Sequence, residues 1–236
     1  MCIRDRVTKV QGGAHLRAER SSDEPGFEAK SLRNMAEKHA IAMAAAAMIT
    51  PGSAIGITAG TTTWQLAYHL VDIPHLTVVT NSVRVSDVLY RAPRTDRTVV
   101  LTGGDRTPSD ALVGPVALAT LRTLHLDVVC MGVHGMAADA GFTTPNLQEA
   151  ETNRAFVDST QHLMVLADHT KWNIIGLSTI APLDRAATVI SDRWLPAAAR
   201  TALKQMVPQL VLADPQFNEV PAPFETRAAD RRRANG

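Results

Sequence analysis

Two cysteines in 236 residues cannot build a disulfide framework. Cys2 sits near the start, and Cys130 lies in an apolar run where it reads as a buried small hydrophobe. A chain this poor in cysteine is expected to work in a reducing cytoplasm. Long apolar runs are missing as well. The longest, residues 41–49, is followed by Thr50-Pro51-Gly52 and falls short of a membrane span, and no secretory signal pattern opens the chain. Net charge is almost absent: 24 Lys and Arg against 23 Asp and Glu leave +1, which carries no general nucleic-acid footprint. Metal-ligand spacing is lacking too, since the eight histidines are scattered without HExxH or paired cysteines. No cofactor motif stands out. What remains is a globular composition, 45% apolar and 20% charged, long enough to bury a full core.

Residues 1–6 fit no element and are expected to be a cloning or assembly junction. Residues 7–26 alternate weakly and then turn polar. Gly12-Gly13 suits a hairpin tip or a chain exit, and residues 21–26 read as a linker. From Phe27 the chain becomes helical, with Leu32, Met35, Ala36, Ile41, Met43, Ala44 and Met48 at near-helical spacing up to Thr50-Pro51-Gly52.

A repeated unit follows: a short β-branched run, a loop of Gly, Thr, Asn or Ser, then a helix. Strands are expected at 54–57, 76–79, 98–101, 127–131, 163–167, 177–180, 188–190 and 210–213. Helices are expected at 64–70, 83–89, 115–124, 149–159 and 197–206. Nearly continuous apolar strands fit a sheet covered on both faces, so the expected class is α/β, a mostly parallel sheet with helices on both sides. The globular domain spans 27–213. Residues 214–236 read as a disordered basic tail ending in Arg231-Arg232-Arg233.

In an open α/β sheet, ligands bind beyond the carboxyl ends of the strands, where the polar loops of this chain fall. Gly60-Thr61-Thr62-Thr63 leaves a strand and opens a helix. Its amides and hydroxyls suit a phosphate, although a helix cap weighs equally for this loop alone; the P-loop pattern is absent. Thr80-Asn81-Ser82 repeats the arrangement and, alone, reads as a cap. Gly103-Gly104 permits close backbone approach or makes a plain turn. In Gly132-Val133-His134-Gly135, His134 can line a ligand or simply bond to backbone. Glu149 and Asn153 stand one helical turn apart on one face, with Glu151 on another. Glu149 either serves the helix dipole or accepts sugar hydroxyls. In Asp168-His169-Thr170-Lys171, Lys171 offers a point charge for phosphate and Asp168 can accept hydroxyls; a surface ion pair is the bland alternative.

The ordered set of these segments resembles the effector-sensing domain of the DeoR/GlpR family of bacterial transcription repressors. It runs from 10–14 through Glu37-Lys38, the loops above, Gly114-Pro115 and Gly141-Phe142-Thr143-Thr144 to 183–192. The resemblance implies a fold related to ribose-5-phosphate and glucosamine-phosphate isomerases, and a phosphorylated sugar or polyol as effector. It also implies a homo-oligomer, dimer or tetramer. Operator DNA would be bound only through an N-terminal winged helix-turn-helix, of which residues 7–26 resemble the wing and linker. The recognition helix is expected upstream, outside this sequence. Carried over position by position, Gly60, Thr61, Thr62, Thr63 and Lys171 would contact phosphate. Asn81, Gly104, Gly132, His134, Gly135, Glu149 and Asp168 would line the sugar side. One departure stands out: Thr58 occupies a position where the family commonly has Asp.

Two other readings compete. A sugar-phosphate isomerase needs a carboxylate base and an acid across a sugar carbon, and only Glu149 with His134 offers that pair, with Asp168 in reserve. Its usual carboxylate-dense loop is replaced by Gly132–Gly135. A ligand-independent assembly module is supported only by the Ala- and Met-rich first helix.

Overall fold

A computed structural model describes residues 7–10, 13–16, 19–20 and 26–215. The expected junction (1–6), the linker residues 21–25 and the tail from 216 onward lie outside the described residues.

The first strands are β1 (Val7–Val10), β2 (Gly13–Leu16) and β3 (Glu19–Arg20), followed by helices α1 (Phe27–Ser31) and α2 (Met35–Ala46). Alternation then begins: β4 (Ala54–Ile57), α3 (Thr61–Leu70), β5 (Thr77–Thr80), α4 (Val83–Arg91), β6 (Thr98–Leu101). A short excursion, β7 (Asp105–Arg106) and β8 (Leu112–Val113), precedes α5 (Pro115–Leu121) and β9 (Val128–Gly132). Next come β10 (Gly135–Ala137), β11 (Gly141–Thr144), α6 (Leu147–Asp158) and β12 (Leu163–Leu166). The chain continues with β13 (Ile174–Ile175), β14 (Ser178–Ala181), β15 (Thr188–Asp192), α7 (Ala197–Met206) and β16 (Gln209–Ala213).

Seven parallel strands form the main sheet in the order β16-β15-β12-β9-β4-β5-β6. Period-two alternation splits its side chains between two cores. Val129, Met131, Leu163, Val165 and Val189 join Leu121, Phe156 and Leu203 from α5, α6 and α7. Their strand neighbours Cys130, Met164, Leu166 and Ile190 join Ile41, Leu66 and Val85 from α2, α3 and α4. Burying each large aliphatic side chain here contributes roughly 1.5–3 kcal/mol. This explains why these strands read as unbroken apolar runs, and it bears out the doubly covered α/β class.

The order also locates a crevice. From β4 the chain steps outward through β5 to β6, then returns to β9 on the other flank and steps away through β12, β15 and β16. The loops after β4 and β9 therefore diverge to opposite faces and leave space between them, the switch point where ligands bind in such sheets.

Several boundaries differ from expectation. The first helix is two: Asn34 takes the left-handed conformation (φ 51) and separates α1 from α2, with no Gly or Pro to announce the break. The Thr61–Thr63 run is the first turn of α3, not a loop before it. The strand expected at 177–180 is β14, which sits outside the main sheet in a three-stranded antiparallel sheet, β10-β11-β14. β10 and β11 are too short and too glycine-rich to read as strands. The Ala face of α2 packs on α3 and the sheet, burying Ile41, Ala42 and Ala45, while Met43 remains exposed. Val10 faces Gly13 in the β1–β2 pair, as a hairpin at that point requires; Gly12 lies outside the described residues.

Candidate functional site

A cavity opens at the switch point. Ala59, Gly60, Thr61 and Thr62 line it from the end of β4, and Gly132, Val133 and His134 from the end of β9. Thr144, Glu149, Asn153 and Ile180 close one side, Ser109 another, and Lys30 and Lys171 complete the wall.

The α3 end of the cavity is built to present backbone amides. Trp64 N makes the first helical bond to Gly60 O at 2.9 Å, so the preceding amides have no partner inside the helix. Gly60 is the N-cap and supplies no side-chain cap. Thr63 turns inward, fully buried, and donates to Gly60 O at 3.0 Å. By contrast α4 is capped by Ser82 and α6 by Asn146. An uncapped helix N-terminus at a cavity favours an anion.

Neighbouring strands hold that loop in place. Asn81 Oδ1 accepts from Ala59 N at 2.8 Å, and Thr58 Oγ1 accepts from Gly132 N at 3.1 Å. Thr58 is fully buried and ties the β4 end to the β9 end; it does not line the cavity.

Glu149 is clasped from the β7–β8 excursion. Its Oε1 accepts from Thr107 Oγ1 at 2.7 Å and from Ser109 Oγ. Asp110, at positive φ, anchors the same excursion by accepting from Arg84 Nε at 2.6 Å and Arg106 Nε at 2.9 Å. Burial alone would raise the Asp110 carboxyl pKa, but the hydrogen bonds from Arg84 and Arg106 outweigh it and hold the group below its ordinary range.

Lys171 ends the short 3-10 turn His169–Lys171. Asp168 begins that turn, accepting from Thr170 N at 3.0 Å, from the Thr170 hydroxyl, and from Asn34 Nδ2 at 3.2 Å. Asp192 fixes it from β15, accepting from His169 N at 2.8 Å. Lys38, 4% exposed, donates to the carbonyls of Lys30 and Arg33, both at 2.6 Å. Burial lowers its pKa to about 8, opposed by Asp168.

Of the residues singled out from sequence, Gly60, Thr61, Thr62, Gly132, His134, Glu149 and Lys171 line this cavity. Thr63, Asn81, Gly104, Gly135 and Asp168 do not. Thr63 donates within its own turn, Asp168 Oδ1 accepts from Thr170 and from the Asn34 amide, and Asn81 is a prop. The other two are packing glycines. A Cβ on Gly104 would meet Val113 O at 2.2 Å, and one on Gly135 would meet Ile174 O at 2.1 Å. Ala59, Val133 and Thr144 lie in segments marked from sequence but are not among the residues assigned to the site there, and Lys30, Ser109 and Ile180 are not singled out at all. Asn153 was marked only by its place on the Glu149 face.

Among the described residues no group of His, Cys, Asp or Glu is placed to hold a metal ion, and no helix is long and apolar enough to cross a membrane.

Residues 33–193 match the sequence model of the DeoR C terminal sensor domain. The chain belongs to the DeoR family. It is 30% identical to the HTH-type transcriptional repressor CsqR of Escherichia coli K12 over 207 residues, covering 87% of this chain and 78% of that protein. It is 32% identical to the HTH-type transcriptional regulator GolR of Listeria innocua over 189 residues, 79% of this chain and 72% of that one. Among solved structures, ribose 5 phosphate isomerase A from Neisseria gonorrhoeae overlaps 57% of this chain and 52% of its own at a TM-score of 0.42 and 16% identity. The chain thus carries the sensor domain of a DeoR-family transcriptional repressor, and the cavity at its switch point is the candidate effector site.

Proposed function

We propose that this DeoR-family chain senses a phosphorylated sugar or polyol in the switch-point cavity. Binding there would control operator recognition by an N-terminal winged helix-turn-helix. One observation carries the reading: a single cavity joins the uncapped start of α3 and Lys171 to the clasped carboxylate of Glu149. The first pair suits a phosphate, and the carboxylate suits hydroxyls. Gly60, Thr61, Thr62 and Lys171 hold the phosphate in this reading; Gly132, His134 and Glu149 line the sugar side. The effector acts by binding one arrangement of a cytoplasmic homo-oligomer better than another, since a ligand with equal affinity for both shifts nothing.

An isomerase remains the second reading because His134 and Glu149 share the cavity. Saturation-transfer NMR with a pool of sugar phosphates and their unphosphorylated partners separates the two. A sensor binds a phosphorylated member and leaves it unchanged over hours. Conversion of that member makes the chain an enzyme. Binding that ignores the phosphate removes the effector class proposed here.

A further inference from the structure

The N-terminal segment reaches the cavity wall through α1 and the strand that follows the Lys171 turn through β3. β3 pairs in parallel with β13, which begins three residues after Lys171. α1 then places Lys30 in the cavity wall. A pocket made only by loops of the main sheet would involve neither.

α1 has five residues, too short to be stable by itself, so other elements hold it. Lys38 ties down the carbonyls of Lys30 and Arg33 at its end. Arg84 lies 4.3 Å over the Phe27 ring and donates to Glu28 at 2.6 Å. The Asn34 amide reaches Asp168, at the start of the turn that carries Lys171. The residue that separates α1 from α2 is thus bonded to the turn that carries Lys171, and β13, which follows that turn, pairs with β3. An anion in the cavity can bridge two ammonium groups that line its wall.

We propose that Lys30 is a second cationic ligand for the effector's phosphate. An anion held between Lys30 and Lys171 clamps α1, as a strap, onto the cavity. The strap is thus both part of the binding site and the route by which occupancy reaches whatever precedes it in the chain. This inference rests on the anion-sensing reading above. In it Lys30 touches the ligand, whereas Lys38, Arg84 and Asn34 position the strap.

Amide hydrogen exchange on the full chain, with inorganic phosphate as the probe, tests it. In the unmodified protein, phosphate slows exchange at residues 59–64 and 27–33 together. Lys30→Gln weakens phosphate binding roughly tenfold or more. At saturation this variant keeps protection at 59–64 and loses it at 27–33, and Lys30→Arg restores it. Protection at 59–64 without the strap in the unmodified protein, or strap protection intact in Lys30→Gln, overturns the clamp and leaves the anion site standing. No protection at 59–64 in the unmodified protein overturns both.

Discussion

Asn81 Oδ1 accepts the amide proton of Ala59 across 2.8 Å, so a side chain beyond the end of β5 sets the loop beyond the end of β4. The same side chain donates through Nδ2 to Leu112 O at 3.1 Å. It is 1% exposed and Leu112 is buried, whereas Ala59 is half-buried at the cavity wall. Asn81→Ala strands the buried carbonyl of Leu112 and frees the half-buried amide of Ala59, and is expected to cost roughly 1–2 kcal/mol. Thermal or urea unfolding reads this directly. A neutral substitution would mean that the loop holds itself.

Glu149→Gln separates the two ends of the cavity. The amide keeps the size of the side chain but loses the charge that accepts from Thr107 and Ser109. Titration calorimetry should show inorganic phosphate binding changed by less than about twofold. A sugar phosphate should weaken by roughly tenfold, the loss of about one charge-assisted hydrogen bond. Equal loss for both ligands would place Glu149 at the phosphate instead.

Acid should act through a histidine pair between α2 and α3. His69 Nε2 lies 3.3 Å from His39 Nδ1, with ring centroids 4.8 Å apart. Burial, and then His39, lowers the pKa of His69 from 6.5 to about 4. Burial lowers that of His39 as well. Between these pH values the unfolded chain binds more protons than the folded one, so stability is full above pH 6.5 and falls as pH drops toward 4. After allowance for the partial exposure of the ring, the loss is on the order of 2 kcal/mol. His69→Gln should flatten that part of a melting-temperature profile; an unchanged slope would assign it to the carboxylates.

Cys130 should be chemically silent. It is fully buried between β9 and the helices over it, and burial pushes its thiol up to about 12. Iodoacetamide at neutral pH is expected to label it only after unfolding, because the thiolate is the reactive form. Peptide mass mapping distinguishes it from Cys2, and native-state labelling of Cys130 would reveal local opening of the central sheet.

Much of the architecture was legible because strands covered on both faces have no choice but to be apolar, and turns at their ends must be polar or glycine. That logic placed α7 at Ala197–Met206 to the residue and put the Gly60 and Gly132 loops at strand ends. It could not say which way a residue within a loop points. Thr61 and Thr62 face the cavity while Thr63, one position on, turns back to Gly60 O. Asp168 and Lys171 differ in the same way across a single turn. Lys30 was illegible for a different reason: it enters from a helix outside the strand–loop–helix repeat. The small antiparallel sheet was hidden by strands of three and four residues, where a packing demand such as that of Gly135 against Ile174 leaves no hydrophobic period to read.

The strand order has a further consequence during synthesis. β4, β9 and β12 lie side by side, yet they leave the ribosome far apart in time, and the turn bearing Lys171 follows the last of them. β3 is made about 150 residues before β13, the strand it pairs with. A nascent chain therefore carries β3 unpaired until β13 is made, and the switch-point cavity closes only once the sheet is nearly whole.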